Sequence, residues 1–134
     1  MSTTLLIMGC AVFVVLGAGH AALTAFTRKF EPRDKGLLEQ LKAGKTSLSK
    51  TGNLWNGIQG FHLSHSLGLV VFGGFYITLA IENSAYLQSS TALNVGLLLV
   101  PMVYVILAHR FWFSVPRDCF VAAVGLLAAS IILR

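Results

Sequence analysis

Hydrophobic residues fall in four long runs that are separated by one long polar segment and two short ones. The runs cover residues 4–26, 57–81, 92–111 and 116–133. Each run is close to the roughly 20 mostly apolar residues that an α-helix needs to cross the hydrocarbon core of a bilayer. The pattern predicts an all-α fold, a four-helix transmembrane bundle, in a single integral membrane domain of residues 1–134.

Composition agrees with the hydrophobic pattern. The chain is 55% hydrophobic and 11% charged, whereas about a quarter of the residues of a soluble domain are charged. The first four residues carry no basic side chain, and a cleaved signal peptide needs one there. We therefore expect the first run to be retained as a membrane span.

Positive charge is concentrated in the loop of residues 27–56. The basic side chains of this loop are Arg28, Lys29, Arg33, Lys35, Lys42, Lys45 and Lys50. Arg110 and Arg117 fall on the same side of the predicted membrane, and the opposite side has only Arg134. Basic loops stay in the cytoplasm, so the sequence predicts an inner-membrane protein with both termini outside. Anionic membrane lipid explains this loop more simply than a nucleic acid does.

All four histidines fall on the side of the basic loop. His20 lies near the end of the first run, His62 and His65 near the start of the second, and His109 near the end of the third. Successive spans alternate in direction, so these positions share one leaflet. Ionisable residues within a membrane are costly and often mark function. The sequence therefore predicts a histidine cluster in the cytoplasmic leaflet, beside a polar strip that includes Gln59 and Ser66.

Imidazole nitrogen suits transition metals, and two histidines from different helices can hold a haem iron. The candidate metal ligands are His20, His62, His65 and His109. His20 and His65 are the candidate cofactor-binding pair, since both are predicted at similar depth and within reach of each other, with His109 nearer the surface. Carboxylates that support such ligands are scarce. The alternative is that each histidine is structural and reaches interfacial water.

Small residues at helical spacing predict close helix packing. Gly60, Ser64 and Gly68 form such a stripe, and small side chains let helices approach closely in lipid. This stripe is predicted to pack in the bundle, or to serve a partner protein or a second copy. Cys10 and Cys119 are predicted at opposite depths, which argues against a disulfide between them.

The basic loop contains a possible short helix. Leu37, Leu38 and Leu41 have helical spacing between Asp34 and Gly44. Asp34 suits the position before a helix, and Gly44 suits the position after one. The alternatives are an amphipathic helix on the inner membrane surface and a solvated loop.

Two segments resemble a family of small, uncharacterised bacterial four-span membrane proteins. They are Leu16-Gly17-Ala18-Gly19-His20 and Gly60-Phe61-His62-Leu63-Ser64-His65-Ser66-Leu67-Gly68. The resemblance covers most of the chain and implies the four-span topology but no activity. His62 departs from the family pattern, in which asparagine is more usual. The resemblance therefore favours His20 and His65 as the central pair.

The sequence leaves three functions open. The first is a binding or redox protein with a metal or haem at the histidines. The second is a non-enzymatic subunit, either a homo-oligomer or part of a larger membrane complex. The third is a small enzyme that acts on a lipid or isoprenoid, with histidine as general acid and base. Catalytic residues stay unidentified. The chain has no motif for phosphoryl transfer, serine hydrolysis or dithiol exchange.

Overall fold

The structure is a computed structural model that describes residues 2–47, 49 and 51–133. This part of the chain contains six helices and no strand. The helices are α1 (Thr3–Phe26), α2 (Lys35–Ala43), α3 (Leu54–Glu82), α4 (Ser84–Ser89), α5 (Thr91–Phe111) and α6 (Ser114–Ile132). The predicted all-α fold is confirmed.

Within the described residues, four helices are long and apolar enough to cross a membrane: α1, α3, α5 and α6. Their positions match the four hydrophobic runs, and four such helices are compatible with a multi-pass membrane protein. Helix α6 begins at Ser114, two residues before the predicted start. Pro116 falls in the first turn, where its missing N–H group costs no hydrogen bond.

The chain divides into two compact units, and the prediction of a single domain stays a prediction. The first unit consists of Met1–Leu16 and Leu69–Arg134, and the second of Gly17–Gly68. Parts of all four long helices pack together in the first unit. One set of core side chains is Leu6, Cys10, Tyr76, Ala80, Leu87, Leu97 and Leu127. The other is Phe13, Leu69, Ala108, Phe120 and Ala123.

Close backbone approach in the first unit depends on glycine. A Cβ atom built on Gly73 would lie 2.5 Å from the carbonyl oxygen of Cys10, so α1 and α3 are in contact there.

Helices α5 and α6 form a hairpin in which the rings of Tyr104 and Phe120 stack with centroids 5.3 Å apart. The backbone N–H of Ser2 donates to the carbonyl of Ser130 at 3.1 Å. The start of α1 therefore lies beside the end of α6.

The second unit contains the end of α1, the basic loop with α2, and the start of α3. The carboxylate of Asp34 accepts a hydrogen bond from the N–H of Gly36 and caps α2. Of the two alternatives for this loop, the structure thus shows the short helix. Leu38 is its buried residue. After α2, the carbonyl of Gly44 accepts from the N–H of Leu54 at 2.9 Å. This bond joins the end of α2 to the start of α3.

The structure corrects the prediction for the stripe of small residues. Gly60, Ser64 and Gly68 are all exposed, and a Cβ atom built on Gly60 would have no heavy atom within 4 Å. Within the unit Gly17–Gly68, this stripe therefore does not pack against another helix. An apolar helix gives little signal of which face is buried, because nearly every position is hydrophobic. The cysteines Cys10 and Cys119 are free, as predicted.

Candidate functional site

His20 is positioned by the last turns of α1. Gly17 and Thr24 share its face of the helix at helical spacing, and both are buried. The hydroxyl of Thr24 donates to the carbonyl of His20 at 2.8 Å, which satisfies the threonine side chain within its own helix. The face of α1 that carries His20 is therefore the face that this unit buries.

His62 and His65 are positioned by the first turns of α3. They are three residues apart, so they lie on one broad face of the helix. Ser66 is buried, and its hydroxyl donates to the carbonyl of His62 at 2.9 Å. Both imidazoles are partly buried, as is that of His20.

A direct hydrogen bond joins two of these imidazoles across the helices. Nε2 of His20 and Nδ1 of His62 are 2.9 Å apart. A bond between two imidazole nitrogens needs one ring to donate and the other to accept, so at least one ring is neutral at that nitrogen. The ring of His65 meets the ring of His20 edge-on, with centroids 5.5 Å apart. The direct partner of His20 is therefore His62 rather than His65.

A phenylalanine from the loop completes the arrangement. The ring of Phe30 stacks on His62 with centroids 4.8 Å apart, and it lies 4.6 Å from the ring of His20. We call these side chains, His20, Phe30, His62 and His65, the four-ring group. Sequence reasoning missed Phe30, because a single aromatic residue in a polar loop gives no signal of its partner.

No carboxylate of the described residues forms a hydrogen bond with His20 or His62. The carboxylate of Asp34 is engaged in capping α2. Gln59 lies one helical turn before His62, and its buried Oε1 atom has no hydrogen-bond partner in the described part of the chain. A buried amide oxygen without a partner is costly and is available to a ligand.

His109 is not part of this group. It lies in the last turn of α5, in the other compact unit, and its side chain is exposed. It lines a groove with Arg110 and Arg117. The structure thus brings together three of the four predicted histidines.

No group of three or more His, Cys, Asp or Glu side chains among the described residues has the arrangement of a metal site. The four-ring group offers two facing nitrogens and a third imidazole beside them. This partly buried arrangement can provide a pair of nitrogen ligands, or a donor and an acceptor for a proton.

Comparison of the chain with protein-family models, with curated proteins and with solved structures gives no match.

Proposed function

We propose that this protein is an inner-membrane protein that binds a transition-metal ion at the four-ring group. Nε2 of His20 and Nδ1 of His62 are its first two ligands, and His65 is the nearest further imidazole. The observation that carries the proposal is the 2.9 Å separation of the two facing nitrogens. Imidazole is a common ligand for zinc, copper, iron and nickel.

The spacing of the two nitrogens is close to that of metal ligands. Two nitrogens bound at 2.0–2.1 Å to a tetrahedral zinc ion are roughly 3.3 Å apart. To admit an ion in place of their shared hydrogen, Nε2 of His20 and Nδ1 of His62 would separate by about 0.4 Å, and the two rings would turn until both lone pairs point at the ion. An ion with two or three imidazole ligands keeps open coordination positions. Ions in catalytic sites have such open positions, whereas ions in structural sites do not.

The same spacing favours a single ion over haem. The two axial nitrogens of a haem lie on opposite faces of the porphyrin ring. A direct hydrogen bond between His20 and His62 leaves no room for that ring between them. The ring of Phe30 also covers both imidazoles.

The charge distribution along the chain supports a position of the four-ring group on the cytoplasmic side of the membrane. The basic loop of residues 27–56 would face the cytoplasm, with both termini outside. In that orientation the four-ring group would lie in the cytoplasmic leaflet, where a bound ion would be accessible from the cytoplasm.

Metal analysis of protein purified in mild detergent tests the proposal. After incubation with one metal at a time and removal of the excess, the wild type should retain about one ion per chain. His20→Ala and His62→Ala should retain at least about tenfold less, since each removes one ligand of a small set. His109→Ala is the matched control, because it removes an exposed histidine of the other unit.

The variant His62→Asn keeps a polar side chain of similar size, and circular dichroism would show that it folds. Equal metal occupancy in the wild type, His20→Ala and His62→Asn would refute the proposal.

The same purified sample also tests the other candidate functions. A strong visible absorption band would indicate haem. A stable larger complex without metal would favour the accessory subunit, and metal-free turnover of a lipid or isoprenoid would favour the enzyme.

A further inference from the structure

The groove beside His109 lies between the end of α5 and the start of α6. It has a volume of about 580 Å³ and is lined by Val105, Ile106, His109, Arg110, Arg117 and Val121. This volume is within the range of small-molecule sites. The lining residues all belong to one compact unit, and none of them is part of the four-ring group.

The lining separates into a polar end and an apolar end. Arg110 lies in the last turn of α5, and Arg117 in the first turn of α6. Ile106 precedes Arg110 by one helical turn, and Val121 follows Arg117 by one turn. Because the two helices form an antiparallel hairpin, both arginines lie at the loop end and both apolar residues lie farther into the span. The groove therefore fits a molecule with a charged head and an apolar tail.

The polar end carries positive charge. Arg117 uses its Nε on Asp118 at 2.8 Å, which occupies one of the five N–H donors of the guanidinium. Arg110 has no carboxylate within ion-pair distance among the described residues, and its guanidinium lies over the ring of Phe111. Two guanidiniums and one carboxylate leave one net positive charge at this end of the groove.

The N-terminus of α6 adds to the positive electrostatic potential at the polar end of the groove. The residue before the helix is Phe113, which provides no side-chain hydrogen bond to the first turn. Uncapped N–H groups and the positive end of the helix dipole favour an anion. They act at the same end of the groove as Arg117.

We propose that this groove binds the headgroup phosphate of an anionic phospholipid, with part of an acyl chain against Val105, Ile106 and Val121. Guanidinium groups bind phosphate oxygens in a bidentate manner. Basic pockets between membrane helices are known to hold anionic headgroups. An ordinary boundary lipid would need only the apolar wall. The paired arginines distinguish this site from general lipid contact.

Lipid titration of the delipidated protein, followed by native mass spectrometry, tests this inference. Phosphatidylglycerol should bind about tenfold more tightly than phosphatidylcholine with the same acyl chains, because only the former carries a net negative charge for the arginines. The double variant Arg110→Gln/Arg117→Gln should lose about tenfold in affinity for phosphatidylglycerol. The matched control is Arg28→Gln/Arg33→Gln, which removes the same charge from exposed positions of the basic loop. It should lose much less affinity than the groove variant and keep the preference for phosphatidylglycerol, because the loop contributes only general attraction to anionic lipid.

A second variant tests the apolar end. Val121→Trp adds a large side chain at an exposed position of the groove and should weaken phosphatidylglycerol binding without removing any charge. Equal binding of the two lipids, or equal losses in the two double arginine variants, would overturn the inference. Displacement of phosphatidylglycerol by millimolar inorganic phosphate, with no effect of Val121→Trp, would also overturn it, since it would identify a free anion site. His20→Ala should leave lipid binding unchanged, so the result is independent of the metal proposal.

Discussion

Gly73 and Gly74 are neighbours in sequence, yet an added methyl group would meet very different surroundings at the two positions. A Cβ atom on Gly73 would lie 2.5 Å from the carbonyl oxygen of Cys10 and 2.8 Å from a methyl group of Val14. A Cβ atom on Gly74 would meet no heavy atom within 4 Å. The backbone oxygen of Cys10 belongs to α1 and cannot move alone, so Gly73 fixes the distance between α1 and α3.

Gly73→Ala should therefore destabilise the protein. Forcing atoms into a packed contact costs about 1–3 kcal/mol of unfolding free energy. Gly74→Ala is the matched control and should leave stability unchanged or raise it by up to about 1 kcal/mol, because alanine favours the helix. Thermal unfolding in detergent measures both variants. Equal melting temperatures would show that α1 and α3 are not this close at Gly73.

Tyr76 contributes a hydrogen bond between two spans. It is 5% exposed, and its hydroxyl donates to the carbonyl of Leu93 at 2.9 Å. Tyr76→Phe should lower the unfolding free energy by about 1 kcal/mol. Tyr86 is 56% exposed, so Tyr86→Phe should have no measurable effect. A smaller loss from Tyr76→Phe than from Tyr86→Phe would contradict the assignment of this bond.

At the scale of elements, the loop helix α2 shows how local signals act together. Its start is set by Asp34, whose carboxylate accepts from the N–H of Gly36. Its end comes at Gly44, whose N–H donates to the carbonyl of Gln40. Leu38 is buried, whereas Leu37 is 45% exposed. A nine-residue helix is too short to be stable alone, so its cap and the burial of Leu38 maintain it.

Asp34→Ala should loosen α2. Loss of an N-cap side chain costs about 0.5–2 kcal/mol, so amide hydrogen exchange in the first turn of α2 should become several-fold faster. Glu39→Ala removes an exposed ion pair with Lys42 and serves as the control, since exposed pairs contribute about 0–1 kcal/mol. Exchange that is faster in Glu39→Ala than in Asp34→Ala would contradict the capping role.

At the scale of the whole molecule, the four spans and the loop charge determine the expected orientation. An even number of spans brings the termini to the same side, and Ser2 does lie beside Ser130. The basic residues of the loop should hold that loop in the cytoplasm. Both termini would then face outward.

Reporter fusions test this orientation. Alkaline phosphatase needs the oxidising periplasm to form its disulfides, so a fusion after Arg134 should be active and a fusion after Lys45 should be inactive. A fluorescent protein that folds only in the cytoplasm should give the opposite pattern. Phosphatase activity in the Lys45 fusion and not in the Arg134 fusion would show that the topology is reversed. The four-ring group would then lie in the outer leaflet.

The sequence by itself determined the four helices that are long and apolar enough to cross a membrane. Length and apolar composition are local properties, and a bilayer admits only a few structures that satisfy the backbone. The start of α2 at Asp34 and its end before Gly44 were also predictable, because the preference of Asp before a helix and of Gly after one is a local signal. Helix α4 was not predicted, because six residues after Asn83 carry too weak a local signal.

Only the tertiary structure decided which faces of these helices meet. In helices that are apolar all round, periodicity does not mark a buried face, so the stripe of Gly60, Ser64 and Gly68 was predicted to be packed and is exposed. The pairing of His20 with His62 and the contact with Phe30 depend on the rotation of α1 and α3 and on the path of the loop. These are contacts between residues distant in sequence, and their geometry is fixed by packing rather than by local preference.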